Sequence, residues 1–111
     1  MSLIDKQHLH AVRLAKLILY AESLGYQISG GDWYRDQRCE YGHDKSLHRL
    51  RLATDLNLFY NGTYLQDSES HRPLGEYWKK MGGTWGGDFD DENGYPDPDG
   101  NHYSTPHEGM K

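Results

Sequence analysis

The sequence contains a single cysteine, Cys39, among 111 residues. One thiol cannot form a disulfide within the chain, so the pattern excludes the small secreted folds that disulfides hold together. We interpret Cys39 as a small residue of the protein interior, where free cysteines are usually found.

Long hydrophobic runs are also missing. The amino-terminal 25 residues are interrupted by charged side chains, at Asp5, Lys6, Arg13, Lys16 and Glu22. They offer neither the apolar centre of a signal peptide nor the length of a membrane span. We therefore expect a protein that is made in the cytoplasm without membrane insertion. To act outside the membrane it would need another protein to release it.

Positive charge is scarce and scattered. The chain has 12 Lys and Arg against 17 Asp and Glu, which gives a formal net charge of -5. Proteins that bind nucleic acids need clustered basic side chains to neutralise phosphates. The composition therefore argues against nucleic acid as a partner.

Enough apolar and aromatic material is present to build a folded core. Hydrophobic residues make up 35% of the chain and aromatic residues 13%, which excludes a disordered protein. A chain of this length fits one domain, residues 1–111, with one core. We expect it to act as a monomer.

The first part of the chain predicts a helix followed by a strand. Apolar residues recur at helical spacing from Ile4 to Leu24, and Gly25 suits the cap that ends a helix. Tyr26–Gly31 predicts a short strand that enters a turn. Residues 32–47 are polar and predict a loop.

A second strand and a hairpin follow. Leu50–Tyr60 alternates apolar and polar side chains, as in a half-buried strand. Asn61 and Gly62 form the dipeptide that most strongly favours a two-residue turn, so Thr63–Leu65 should return as the antiparallel partner.

The carboxy-terminal half adds a second helix and short extended pieces. Pro73 suits the first turn of this helix, and Gly82 and Gly83 end it. Extended pieces are predicted near Trp85 and at His102–Ser104. The expected fold is α+β, a small antiparallel sheet with two or more packed helices.

Seven histidines make a metal site possible. A catalytic zinc site needs three protein ligands and leaves one position for water. His48 and Asp55 are seven residues apart, so on one strand their side chains would point to opposite faces. His48 must therefore lie in the loop before the strand, and His102 can approach from the far end of the chain. Spacing alone does not separate such ligands from ordinary surface polar residues.

Other histidines and an acidic loop allow alternatives. His43 and His107 could substitute for a ligand, whereas His8, His10 and His71 are interpreted as surface residues. Residues 88–94 loosely resemble a calcium loop, but the glycine is displaced and the glutamate at position twelve is missing. We interpret this segment as a solvated turn.

Two ordered motifs carry more information than composition. Their residues fall on fixed steps of two separated segments: Ser46, His48, Ala53, Asp55, Asp99 and His102. This combination resembles the zinc peptidases of the VanY-type D-alanyl-D-alanine carboxypeptidase family. That family also contains the phage endolysins that act as L-alanyl-D-glutamate endopeptidases. The resemblance runs from about the first helix to Ser104.

The resemblance implies a Hedgehog-type, DD-peptidase-like fold and a role for each motif residue. Zinc would be held by His48, Asp55 and His102. Asp99 would take the proton from the zinc-bound water, whose pKa the metal lowers from about 15.7 to near 7. Asp97, two residues away, is the rival for this role.

Two further residues are implicated by the resemblance. Arg35 matches an arginine that lines the family's active site, where it would polarise the scissile carbonyl or meet a substrate carboxylate. The alternative is a surface arginine paired with a neighbouring aspartate. Ser46 would donate a hydrogen bond to a substrate carboxylate, or would instead satisfy the loop backbone. Arg51 departs from the family, which usually has glycine there, so the close backbone approach that glycine allows is in question.

By resemblance, the substrate is the stem peptide of bacterial peptidoglycan and the reaction is metal-assisted amide hydrolysis. We expect an endolysin of the L-alanyl-D-glutamate endopeptidase type that acts on the cell wall after release. A D-Ala-D-Ala carboxypeptidase is the alternative within the same chemistry. A metal-binding relative without activity, its groove blocked by Arg51 and the acidic loop, is the alternative from another class.

Overall fold

The computed structural model describes residues 1–31, 33 and 47–109. The predicted loop at residues 32–47 therefore lies almost entirely outside the described residues, as do Arg35, Cys39, His43 and Ser46. Within the described ranges, neither helix combines the length and the hydrophobicity that a bilayer crossing requires.

The first helix, α1, spans Leu3–Ser23, which confirms the predicted helix. Ser2 and Asp5 form a capping box at its start: the Asp5 amide donates to Ser2 Oγ at 3.2 Å, and the Ser2 amide donates to Asp5 Oδ2 at 3.1 Å. These bonds satisfy amides that the first turn of a helix would otherwise leave without partners.

Five antiparallel strands form one sheet. They are β1 (Tyr26–Gly30), β2 (Ala53–Tyr60), β3 (Thr63–Leu65), β4 (Thr84–Trp85) and β5 (His102–Ser104). The order is β1-β2-β5-β4, and β3 also pairs with β2. The predicted hairpin is confirmed, because Asn61 (φ 49°) and Gly62 (φ 80°) both adopt the positive φ that a two-residue turn of this kind requires.

The second helix, α2 (Arg72–Lys80), packs with α1 on one face of the sheet. The fully buried core residues come from both helices and from β2, β4 and β5: Leu17, Ala21, Leu56, Leu58, Leu74, Trp78, Trp85 and Tyr103. Burial of each large side chain contributes about 1.5–3 kcal/mol. The predicted α+β fold, a small antiparallel sheet with two packed helices, is confirmed.

The second strand begins later than its sequence pattern predicts. Leu47 to Arg51 forms turns, and β2 starts at Ala53 rather than at Leu50. The cause is local backbone geometry, since Arg51 has a φ of 57°, which no strand residue adopts. The alternation of Leu50 with Leu52 is therefore not strand periodicity.

Two histidines that the sequence places on the surface are buried. His10 is 4% exposed and His71 is 3% exposed. His10 bridges two threonine hydroxyls, with Nδ1 2.9 Å from Thr105 Oγ1 and Nε2 2.9 Å from Thr54 Oγ1. His71 Nδ1 lies 2.8 Å from the hydroxyl of Tyr103. The surface interpretation was wrong because both rings find their partners inside the fold.

Burial lowers the pKa of His10 and of His71 from 6.5 to about 4. The unfolded chain takes up protons first as the pH falls, so each ring stabilises the fold fully above pH 6.5 and loses that contribution towards pH 4. We expect metal-free protein to lose about 2 kcal/mol of unfolding free energy per histidine between about pH 7 and about pH 5. Urea unfolding measures this loss.

His71→Gln is the informative variant and the exposed His8→Gln is its control. The pH dependence of the unfolding free energy should shrink by about 2 kcal/mol in His71→Gln and stay as in the wild type in His8→Gln. An undiminished dependence in His71→Gln would show that His71 is not held neutral in the folded state.

The backbone at Arg51 yields a second prediction. Left-handed backbone costs an L-residue roughly 1 kcal/mol more than it costs glycine. Arg51→Gly should therefore unfold with a free energy about 1 kcal/mol higher than Arg51→Ala, since both variants lose the same side-chain interactions. Denaturant unfolding of the two variants checks this, and equal stabilities would mean that the positive φ carries no strain.

Candidate metal centre

The pairing of β2 with β5 places Asp55 directly opposite His102. Backbone bonds join Leu56 N to Asn101 O at 2.9 Å and Thr105 N to Leu52 O at 2.8 Å. Hydrogen-bonded and non-hydrogen-bonded pairs alternate along antiparallel strands, so Asp55 and His102 form a non-hydrogen-bonded pair. In such pairs the side chains are closest, and both point to the face opposite the helices.

His48 reaches this pair from the turn before β2, as the sequence predicts. The turn is closed by bonds from the Leu50 and Leu52 amides to the Leu47 carbonyl, at 3.1 and 2.8 Å. Leu47 packs with Leu52 and Ala53 in a small buried cluster, which fixes the turn over the start of the strand. The His48 ring is consequently buried, with 4% exposure.

The three side chains converge on one point. His48 Nε2 lies 3.3 Å from Asp55 Oδ1, and His102 Nδ1 lies 3.6 Å from the same oxygen. One ligand atom from each residue falls within 4.8 Å of the others. Charge-assisted hydrogen bonds are shorter, at about 2.7–2.9 Å. Ligands bound at about 2.0–2.1 Å to a tetrahedral ion lie about 3.3 Å apart, so the observed spacing fits a shared ion.

The chemistry of the donor set also fits a metal. Asp55 Oδ1 is buried and accepts no hydrogen bond that meets ordinary geometry, although it lies between two imidazole rings. Burial acts to raise the pKa of Asp55, but the neighbouring His102 and His48 outweigh it and lower the pKa to about 2. A partly buried, ionised carboxylate beside two imidazoles is a set that divalent metals bind.

The His102 ring is positioned by packing. Its centroid lies 5.4 Å from that of His48, at 75° between the ring planes, and 5.2 Å from that of Phe89. A Cβ at Gly86 would overlap the Asp99 carbonyl oxygen and crowd His102 Cβ. The glycine of this Trp-Gly-Gly segment therefore allows the chain to pass close behind the turn that carries both residues.

Asp99 stands at the rim of the cluster in that turn. Its amide donates to the Gly86 carbonyl at 2.8 Å, and its carbonyl accepts from the His102 amide at 3.0 Å. The side chain is exposed, yet partial desolvation and then the charge of Asp55 raise the pKa of its carboxyl, while His102 and His48 oppose the rise. Asp55, His102 and His48 therefore all influence the pKa of Asp99, although Asp99 is not one of the three cluster residues.

The remaining predicted site residues lie elsewhere or outside the described ranges. Asp97 is exposed, and its amide bonds to the Phe89 carbonyl at 2.9 Å. His107 Nδ1 lies 2.9 Å from Lys6 Nζ and does not join the cluster. Arg35 and Ser46 lie outside the described residues, as does the possible substitute ligand His43, and their roles remain predictions.

The sequence did not predict the role of His10, which supports the metal site from the helix side of the sheet. Its two threonine partners lie next to Asp55 on β2 and directly after β5, on the helix side of the sheet. One ring from α1 therefore ties together the two strands that carry metal-site residues. A signal was available, because His10 shares the helical spacing of Leu14, Leu17 and Ala21.

Comparison with known proteins agrees with this geometry. A family model described as D-alanyl-D-alanine carboxypeptidase matches residues 40–105, more than half of the chain and inclusive of His48, Asp55, Asp99 and His102. The chain belongs to this family of D-alanyl-D-alanine carboxypeptidases. No match was found among curated proteins.

Family membership confirms the broad resemblance read from the two motifs. D-alanyl-D-alanine carboxypeptidases are metal-dependent peptidases that act on peptidoglycan, and His48, Asp55 and His102 are where this member could hold its metal. At Arg51, where the resemblance leads us to expect glycine, the backbone has a φ of 57°. Glycine adopts a positive φ at a lower cost than arginine does, so this backbone conformation is a physical reason to expect glycine at this step.

Removal of one cluster residue should abolish tight metal binding. Loss of an outer-shell partner typically lowers metal affinity about 10–100-fold, so loss of a direct ligand in His48→Ala should exceed about 100-fold. Competition with a zinc-responsive dye measures the affinity. His107→Ala is the matched control and should bind as the wild type does. The reverse order of affinities would move the site to His107.

Proposed function

We propose that the chain is a zinc-dependent peptidoglycan peptidase in which His48 Nε2, Asp55 Oδ1 and His102 Nδ1 hold the ion. The observation that carries the proposal is the convergence of two imidazole nitrogens on one buried carboxylate oxygen, at 3.3 and 3.6 Å. Three protein ligands with one open position are the arrangement of catalytic zinc, whereas structural zinc has four. Residues 1–111 would act as one domain and as a monomer.

The bound ion would supply a Lewis acid for the scissile carbonyl and would acidify a water molecule at neutral pH. The chain's own contribution is proton transfer at Asp99. Its carboxylate accepts the proton from the attacking water and then passes it to the nitrogen of the leaving amine. The raised pKa brings this carboxyl closer to neutral pH, where one group can accept the proton and later return it.

Arg35 and Ser46 complete the proposal on the strength of the family motifs. The Arg35 guanidinium would stabilise the oxyanion that forms as the carbonyl is attacked. Ser46, two residues before His48, would donate a hydrogen bond to a carboxylate of the substrate. The substrate is then the stem peptide, with the L-alanyl-D-glutamate bond of an endolysin as our first choice and the D-Ala-D-Ala bond as the second.

The proposed setting is the cell wall. The protein would be made in the cytoplasm and would reach peptidoglycan through a release route such as a holin. The choice between the two bonds is tested by mass spectrometry of the products, which distinguishes L-alanyl-D-glutamate cleavage from release of terminal D-alanine.

The role of Asp99 has a direct test. Asp99→Asn should retain zinc and lose at least about 100-fold in the release of new amino groups from purified peptidoglycan, since general acid–base catalysis contributes 10²–10⁴-fold. The exposed Asp97→Asn is the matched control and should remain close to wild-type activity. Full activity in Asp99→Asn together with loss in Asp97→Asn would transfer the role to Asp97.

The peptidase proposal has its own failure condition. Wild-type protein with one zinc per chain should release amino groups from cell walls, and a chelator should stop the release. If the zinc-loaded protein lacks this activity, the alternative holds that the chain is a metal-binding relative without catalysis.

A further inference from the structure

The face of the sheet that carries the metal cluster continues beyond it along β2. Side chains alternate along a strand, so Asn57 and Phe59 point to the same face as Asp55. The register places Ser29 beside Asn57, and places Gln27 and Tyr64 on either side of Phe59. We call these five residues, Gln27, Ser29, Asn57, Phe59 and Tyr64, the open strip. At about 6.6 Å per two residues it extends to about 13 Å from Asp55.

The open strip is accessible while the opposite face is not. Tyr64 is 45% exposed, Gln27 and Ser29 are exposed, and Asn57 and Phe59 are partly buried. On the other face of the same strand, Leu56 and Leu58 are fully buried under the two helices. Among the described residues, the helices therefore cover the face that carries Leu56 and Leu58, whereas the open strip on the other face keeps exposed side chains.

The side chains of the open strip are pre-organised by contacts with one another. The rings of Phe59 and Tyr64 stack, with centroids 5.0 Å apart and 29° between the planes. The Tyr64 hydroxyl donates a long hydrogen bond of 3.4 Å to Asn57 Oδ1. An aromatic platform beside amide and hydroxyl groups offers an apolar surface together with donors and acceptors. Sugar rings present the complementary pattern, with apolar C–H faces and polar edges.

Charge decides between the two parts of the proposed substrate. The open strip contains no Lys, Arg, Asp or Glu. A stem peptide along it would place the carboxylate of its D-glutamate against residues that offer no positive charge, whereas N-acetylated sugars are neutral around the ring. Burial of an uncompensated charge is unfavourable, so the strip suits the sugar better than the peptide.

We propose that the open strip binds the N-acetylated amino-sugar strand to which the stem peptide is attached. This inference rests on the proposed function and deepens it. The L-alanyl carbonyl is about two residue-lengths, roughly 7 Å, from the sugar that bears the peptide, which places this sugar over Asn57 and Ser29. The next sugar then lies on Phe59 and Tyr64. The D-Ala-D-Ala bond is several residues farther from the sugar, so the open strip favours the endopeptidase.

The first test measures binding without catalysis. Metal-free protein is titrated with a short oligosaccharide of N-acetylglucosamine and followed by calorimetry. Tyr64→Ala should weaken binding about tenfold, since aromatic contacts contribute on this scale. Tyr60→Ala is the matched control: Tyr60 is also 45% exposed, but it lies on the other face of β2. Failure of the oligosaccharide to bind, or equal weakening in both variants, would overturn the proposal whether or not the protein is a peptidase.

The second test uses the zinc-loaded enzyme and two substrates, the stem peptide attached to its sugar strand and the same peptide without sugar. The ratio of the two kcat/KM values should fall about tenfold in Tyr64→Ala and stay at the wild-type value in Tyr60→Ala. Tyr64→Phe keeps the ring and should retain most of the ratio. An equal loss on both substrates in Tyr64→Ala would mean that the strip binds peptide, and absence of cleavage of either substrate would refute the proposed function alone.

Discussion

The register between β2 and β5 is the constraint on which the rest of the structure depends. It places Asp55 opposite His102 on one face and, one residue along, places Tyr103 against Trp78 in the core on the other. A slip of one residue would exchange these faces, so that His102 would be buried among apolar side chains and Tyr103 would point at the metal cluster. Core packing and the metal centre therefore specify the same register.

Several polar contacts behind the sheet reinforce this pairing. His10 bonds to hydroxyls next to both strands, and His71 bonds to the hydroxyl of Tyr103. Trp78 Nε1 donates to the Ser104 carbonyl at 3.0 Å, and Trp85 Nε1 donates to the Gly100 carbonyl at 2.7 Å. Each is a buried polar group with its partner supplied, as stability requires. The two helices thus support the short strand β5, which has only three residues.

Local signals in the sequence predicted most of the secondary structure. The helical stripe of α1, the Asn61-Gly62 turn and Pro73 at the start of α2 each act over a few neighbouring residues, so each is readable without the fold. The predicted start of β2 was wrong because Arg51 adopts a positive φ, which the alternation of apolar residues does not reveal. His71 has helical spacing with the buried residues Leu74 and Trp78. It lies before the helix whose start Pro73 indicates, so the sequence pattern of that helix did not include it.

The metal cluster was only partly readable from the residues alone. Spacing required His48 to lie before the strand, and the turn at Leu47–Leu50 confirms that placement. The approach of His102 to Asp55 depends on a pairing between segments that are far apart in the chain, for which short-range patterns carry no information. The two ordered motifs predicted this approach of His102 to Asp55 through family resemblance. The open strip was missed because it exists only once β1, β2 and β3 lie side by side.

The coordination of bound zinc is the most direct test of the central claim. X-ray absorption spectroscopy of the zinc-loaded protein reports the number, type and distance of the ligand atoms. Our account predicts two imidazole nitrogens and oxygen donors at about 2.0–2.1 Å, which match His48, His102, Asp55 and an open position for water. A sulfur ligand at about 2.3 Å, which only Cys39 or a methionine could provide, or a shell without imidazole, would contradict it.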